Sequence, residues 1–308
     1  MPLVDLSTDI AGIKLRNPVL TSSGTYGFGD AYAAFCPLEA LGGITLKGIT
    51  PLPRLGNPLP RLAETPAGLL NAIGLENPGL EEFLRDYLPV VRQIPTAVIA
   101  NISGFSVEDY VQIAESLQAD SGLAALEVNI SCPNVRYGGM HFGTDPKSAE
   151  EVITAVKAVT DLPIIAKLSP NVSDIAEIAR AVQHGGADAI SLINTILGMM
   201  IDLETQRPFL GNTFGGLSGP AVRPVAVRMV WQVAGAVDLP IIGMGGIMTW
   251  QDAVEFILAG ATAVSVGTGN FVNPQAPLEI IRGIETYCLK HKKRAVREIV
   301  GLARGNSW

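Results

Sequence analysis

From about residue 95 onward, short apolar runs alternate with amphipathic stretches six times in succession. The runs lie at 96–101 (TAVIAN), 125–130 (ALEVNI), 163–168 (PIIAKL), 188–193 (within ADAISLI), 240–244 (PIIGM) and 263–267 (AVSVG). Helical patterns follow them at 107–119, 148–160, 173–184, 222–236, 250–259 and 276–291. Near-continuous apolar strands belong to a parallel sheet covered on both faces. Two earlier runs, 18–22 (PVLTS) and 44–49 (ITLKGI), bring the strands to eight. Eight strands with intervening helices predict an α/β fold of the (β/α)8 TIM-barrel type. An open doubly wound sheet is the alternative, and the missing GxGxxG fingerprint weakens it.

The 308 residues suit one such barrel with insertions, so a single domain is expected over 1–308. The Pro-rich stretch 51–66 and the Gly-rich stretches 131–147 and 198–221 read as long irregular loops over the C-terminal face. Loops of that length in a compact domain usually carry function.

Composition narrows the partners. Hydrophobic residues make up 48% and charged residues 17%, enough apolar matter for a large core. Gly, Asn, Lys and Pro interrupt every apolar stretch, so no membrane span is expected. The opening MPLVDLSTDI lacks the basic and apolar regions of a signal peptide, which predicts a cytoplasmic location. A net charge of −7 without a basic stripe argues against nucleic acid. Cys36, Cys132 and Cys288 are odd in number and far apart, which fits a reducing compartment. They and His141, His184 and His291 show no metal-ligand spacing, so no metal site is expected in this chain.

Several strands carry polar residues at their C-terminal ends: Lys47, Asn101, Asn129, Lys167 and Asn194. In a barrel those ends converge on the active-site face. A lysine inside an apolar strand is costly unless its ammonium meets an anion or dipoles. Snorkelling to the rim explains one such lysine; two at matching ends point to a binding pair. A single asparagine is by default a turn residue, but three at equivalent ends suggest a flat, amide-rich ligand. The last two strands end in glycine turns, Gly243–Gly246 (GMGG) and Gly267–Gly269 (GTG). Tight turning alone accounts for one of them. Both together, after strands seven and eight, fit a phosphate site. Cys132 sits in NISCPNVRYGGMHFG, just past the fourth strand. A lone cysteine is usually a small buried hydrophobe. This Gly-rich context would instead suit a mobile lid carrying an acid/base group.

These motifs resemble the dihydroorotate dehydrogenases. The resemblance runs through TSSGTYGFG (21–29), LKGIT (46–50), NPLPR (57–61), NAIGLENPG (71–79) and VNISCPN (128–134). It continues through AKLSPN (166–171), INT (193–195), GGLSGP (215–220), GMGGI (243–247) and GTGNF (267–271). It covers nearly the whole chain. Cys132 in place of serine is the mark of the soluble class 1 enzymes. NAIGLENPG and the Cys132 loop look like the NAD-linked class B rather than the fumarate-linked class A.

The resemblance implies oxidation of (S)-dihydroorotate to orotate in pyrimidine biosynthesis. Cys132 would take the C5 proton while C6 gives hydride to FMN. Lys167 would stabilise negative charge on the reduced flavin, and Lys47 would touch both flavin and carboxylate. FMN would be held by Ser23, Lys47, Gly48, Asn101, Asn129, Lys167, Ile193, Gly219, Gly245, Gly246, Gly267 and Thr268. The substrate would meet Lys47, Asn71, Asn129, Asn194, Thr195 and the backbone of Ala72, Ile73, Gly74 and Leu75. It also implies a homodimer core within a heterotetramer, with FAD and 2Fe–2S on an electron-transfer subunit that passes electrons to NAD+. The rival readings are a fumarate-linked enzyme, a flavin barrel acting on dihydropyrimidines, a Schiff-base barrel lyase using Lys47 or Lys167, and a non-catalytic binding barrel.

Overall fold

The computed structural model of the chain describes residues 4–29, 32, 34–131 and 142–305. Eight parallel strands pair in chain order and close on themselves. They are β1 (Val19–Thr21), β2 (Gly43–Thr45), β3 (Ala97–Ile102), β4 (Ala125–Asn129), β5 (Ile164–Lys167), β6 (Ala189–Leu192), β7 (Ile241–Met244) and β8 (Ala263–Val266). Closure pairs Val264 of β8 with Val19 of β1. The expected barrel is therefore present, and every predicted strand has a counterpart. The second is the most shortened: β2 ends at Thr45, so Lys47 stands just beyond it.

The helices Val107–Ser116, Pro146–Lys157, Ile175–His184, Arg223–Ala234, Trp250–Ala259 and Ala276–Lys290 lie within or close to the predicted spans. Their starts follow from capping chemistry. Ser106, Asp145, Asp174 and Thr249 each accept a hydrogen bond from a backbone N–H of the first turn. Thr249 and Asp252 form a full capping box.

Two features depart from the sequence reading. First, the stretches 51–66 and 198–221 are not irregular throughout. Leu62–Thr65 and Gly215–Ser218 join Gly68–Asn71 and Ile196–Gly198 in a four-stranded antiparallel sheet. Gly216 there pairs with Asn71, a partner far away in sequence, so no local pattern announces it. Second, Thr8–Ile10 and Ile13–Leu15 form a hairpin, turned at Ala11 and Gly12 in the left-handed region. The stretch 131–147 lies largely outside the described residues.

The barrel interior is layered by the two-residue period of its strands. At the N-terminal end Leu20, Ile99, Ala125, Ile165, Ala189, Ile242 and Ala263 pack against Ile10, Ile13 and Leu15, so the hairpin plugs the barrel floor. Two residues further along, β3 to β6 contribute Asn101, Glu127, Lys167 and Ser191, all buried. Outside the barrel, helices cover the strands with a continuous apolar layer. Phe256 in that layer is fully buried, and a Cβ placed on Gly243 of β7 would meet its ring at 2.6 Å. Phe256→Ala is expected to lower unfolding free energy by about 3–5 kcal/mol. A urea titration checks it, and an unchanged midpoint would contradict this packing.

Candidate active site

The C-terminal ends of the strands and the antiparallel sheet above them enclose a cavity of about 500 Å³. Lys47, Asn101, Asn129, Lys167 and Asn194, the polar strand-end residues, all line it. So do Ser23, Gly48, Asn71, Ile73, Gly74, Leu75, Ile193, Thr195, Gly245, Gly246, Gly267 and Thr268. Ala72 does not. It is buried in a small apolar cluster with Ala63, Leu70 and Leu210 behind the cavity wall. Gly219 stands directly behind Gly246, where a Cβ would meet the Gly219 carbonyl oxygen at 2.6 Å and the Arg223 nitrogen at 3.0 Å. Gly246 and Gly219 also have φ of +80° and +91°, so glycine is required at both. Cys132, expected on the lid, and His141 lie outside the described residues.

The lysines differ electrostatically. Lys167 on β5 donates to Glu127 Oε2 at 3.2 Å. The same oxygen accepts from Asn101 Nδ2 at 2.6 Å, and Glu127 Oε1 accepts from Ser191 Oγ at 2.8 Å. The Lys47 ammonium has no hydrogen-bond or ion-pair partner among the described residues. Burial pushes its pKa down; the charge of Glu76 partly offsets this and that of Arg61 adds to it. Its main chain is fixed, because the Lys47 N–H donates to the Gly27 carbonyl at 2.9 Å.

Hydrogen bonds also set the amides. Asn129 Nδ2 donates to Ser103 Oγ at 3.2 Å, and its carbonyl accepts from the Tyr110 hydroxyl at 2.9 Å. Ser131 Oγ donates to Asn129 Oδ1 and accepts from Asn194 Nδ2, each at 2.5 Å. Asn171 spans two loops: Nδ2 donates to the Thr195 carbonyl and Oδ1 accepts from the Leu197 N–H. Asn71 Nδ2 donates to the Gly216 carbonyl at 3.2 Å, tying the sheet together over the cavity. The 71–75 segment is braced from behind, where Asn57 Nδ2 donates to the Ala72 carbonyl. Arg61 in turn donates to the Asn57 and Leu55 carbonyls and to Glu76.

Glu127, Ser191, Ser131, Asn171 and Arg61 were not among the sequence-predicted site residues. A signal existed for Glu127, which stands one strand period before Asn129 and so shares its inward face.

Fold and cavity together define a (β/α)8 barrel with a cationic, amide-rich binding mouth at the strand C-termini. The dihydroorotate dehydrogenase family model matches residues 5–288. A relative from Desulforamulus reducens, named dihydroorotate dehydrogenase B (NAD(+)), catalytic subunit, is 57% identical over 300 residues, covering 97% of this chain and 99% of its own. Relatives of the same name from Desulforudis audaxviator and Bacteroides thetaiotaomicron are 56% and 51% identical, across 97% of this chain and 98% and 99% of theirs. The chain belongs to the dihydroorotate dehydrogenase family.

The Lys47 ammonium, without a partner among the described residues, makes stability depend on pH. With its folded pKa lowered, the protein carries a stability cost that is complete below that pKa. The cost disappears as pH rises toward ~10.4, where an unfolded lysine loses its proton. Lys47→Met is expected to raise the Tm of the ligand-free protein by a few degrees at neutral pH, with the gap closing in alkali. Calorimetry across that range checks it, and a variant less stable than wild type at neutral pH would refute it.

Proposed function

We propose that this chain is the catalytic subunit of an NAD+-linked dihydroorotate dehydrogenase, oxidising (S)-dihydroorotate to orotate in de novo pyrimidine biosynthesis. The observation that carries the reading is the cavity in a chain of this family: a Lys47 ammonium with no partner among the described residues faces the same space as the amides of Asn71, Asn129 and Asn194. Orotate is flat, carries a carboxylate and presents several C=O and N–H groups, so it matches that donor set.

The residues present fit FMN. The Gly245–Gly246 and Gly267–Thr268 turns are proposed to hold its phosphate, because three side-chain-free residues, Gly245, Gly246 and Gly267, line the cavity there and let backbone N–H groups approach an anion. Ser23, Gly48, Asn101, Asn129, Lys167 and Ile193 are proposed to hold the ring, with Gly219 supporting the turn. Bound FMN supplies the hydride acceptor for C6 of the substrate. Lys47 binds the substrate carboxylate. Asn71, Asn129, Asn194 and Thr195, with the backbone of Ile73, Gly74 and Leu75, orient the pyrimidine ring. Cys132 takes the C5 proton, a role that rests on the resemblance alone.

Electrons then leave for an electron-transfer subunit carrying FAD and 2Fe–2S, with NAD+ as final acceptor. We propose a homodimer core within a heterotetramer. The exposure of Leu55 (90%), Leu59 (79%) and Leu203 (83%) on the two insertions supports burial of that surface in an assembly. Among the described residues no helix is long and apolar enough to cross a membrane. Cys36 and Cys288 are free and buried, which supports the proposed cytoplasmic location.

Anaerobic addition of dihydroorotate to the purified chain is expected to bleach a yellow protein. A chain that stays colourless after incubation with FMN would overturn this reading and favour a Schiff-base lysine, tested by borohydride trapping. Cys132→Ala is expected to keep the flavin and lose turnover by ~10²–10⁴-fold, the usual scale of general-base catalysis. Undiminished turnover would remove Cys132 as the base. Lys167→Ala is expected to weaken flavin retention or lower its potential, read by ultrafiltration and redox titration. An unaltered flavin would refute the role of that lysine.

A further inference from the structure

Glu127 is 2% exposed and sits in the middle of β4. It does not line the cavity, and neither does Ser191; Asn101 and Lys167, which it binds, both do. The carboxylate therefore stands one layer behind the two side chains that face the ligand. A buried carboxylate is costly to desolvate, and several kcal/mol per ion is the usual scale. Here three donors answer it: Asn101 at 2.6 Å, Ser191 at 2.8 Å and Lys167 at 3.2 Å. The strand register enforces the arrangement, since Asn101 pairs with Glu127 and Ser191 with Lys167 across neighbouring strands.

We propose that Glu127 is a positioning residue for the flavin ring: it aims the Lys167 ammonium and the Asn101 amide into the cavity, and its charge tempers the positive potential they present. The inference rests on the flavin-binding reading above. It follows from charge arithmetic. A Lys167 ammonium paired with the Glu127 carboxylate is close to neutral as a unit, so it donates a directed hydrogen bond without a full positive field. Removing the carboxylate leaves the ammonium uncompensated. Negative charge gained by the ring on reduction is then better stabilised, and the flavin potential moves upward. A residue that merely filled space would alter stability and leave the potential alone.

The test uses the purified flavin-loaded chain. Glu127→Gln is expected to raise the midpoint potential and weaken FMN retention. Glu127→Asp, which keeps the charge, is expected to stay closer to wild type in both. Ser191→Ala keeps the carboxylate but takes a donor from one of its oxygens, so more of its charge acts on Lys167 and a small downward shift is expected, which keeps the proposal testable should Glu127→Gln fail to fold. Loss of FMN from Glu127→Gln with retention by Glu127→Asp also supports the assignment. Wild-type potential in Glu127→Gln overturns it, and so does wild-type potential in Ser191→Ala when both Glu127 variants fail alike. A wild-type chain that binds no FMN would instead sink the flavin reading itself, so the two failures are distinguishable.

Discussion

A carboxylate sealed inside a barrel must be met by donors that do not move, and Glu127 makes that demand here. Its partners come from β3, β5 and β6, so four strands share one buried polar cluster. A slip of one residue in any of them would turn its polar side chain toward the apolar helix layer. The cluster thus penalises wrong registers more sharply than interchangeable aliphatic contacts would. The apolar tier beneath it, plugged by Ile10, Ile13 and Leu15, keeps water from the floor. Dry floor, polar middle and open mouth follow each other along every strand from β3 to β6. Barrel closure and site construction are thus one arrangement.

The mouth is shaped by segments that are not part of the barrel. The antiparallel sheet draws two strands from the β2–β3 connection and two from the connection after β6. Asn71 to Gly216 links the halves, and Asn171 ties the start of the second half to the loop after β5. Arg61 then locks the Leu55–Asn57 backbone under the 71–75 segment. Irregular backbone over a cavity exposes polar groups that need partners. Here side-chain amides and a guanidinium supply them, so the wall of the cavity is held by hydrogen bonds rather than by apolar packing alone.

Much of this was legible in the sequence because barrel strands and their helices are local patterns. The apolar runs, the helical patterns and the polar strand ends can each be read within a dozen residues. The mouth sheet could not be, since its pairing joins Leu69–Asn71 to Gly216–Ser218 and its strands are three or four residues long. The floor hairpin is equally short. Glu127 and Ser191 escaped for another reason. Attention to strand ends selects residues that touch the ligand, whereas these sit mid-strand and touch those residues. Within the apolar runs ALEVNI and ADAISLI, a lone Glu or Ser reads as a tolerated interruption until neighbouring strands show what it faces.

The different roles proposed for the two cavity lysines have a physical reason. Lys167 has a carboxylate within hydrogen-bond reach, so its charge is already answered by the protein. It is suited to a partner whose charge changes during reaction, because only the change needs to be stabilised. Lys47 has no partner among the described residues and bears a desolvation cost that lowers its pKa. A permanent anion relieves that cost on binding. Glu76, whose charge partly offsets that cost, is itself held by Arg61 at 2.7 Å. On the proposed reading, an anionic substrate seats its carboxylate at Lys47, and the compensated lysine faces the flavin ring. The proposed orientation of the substrate thus follows from which lysine has its charge answered by Glu127.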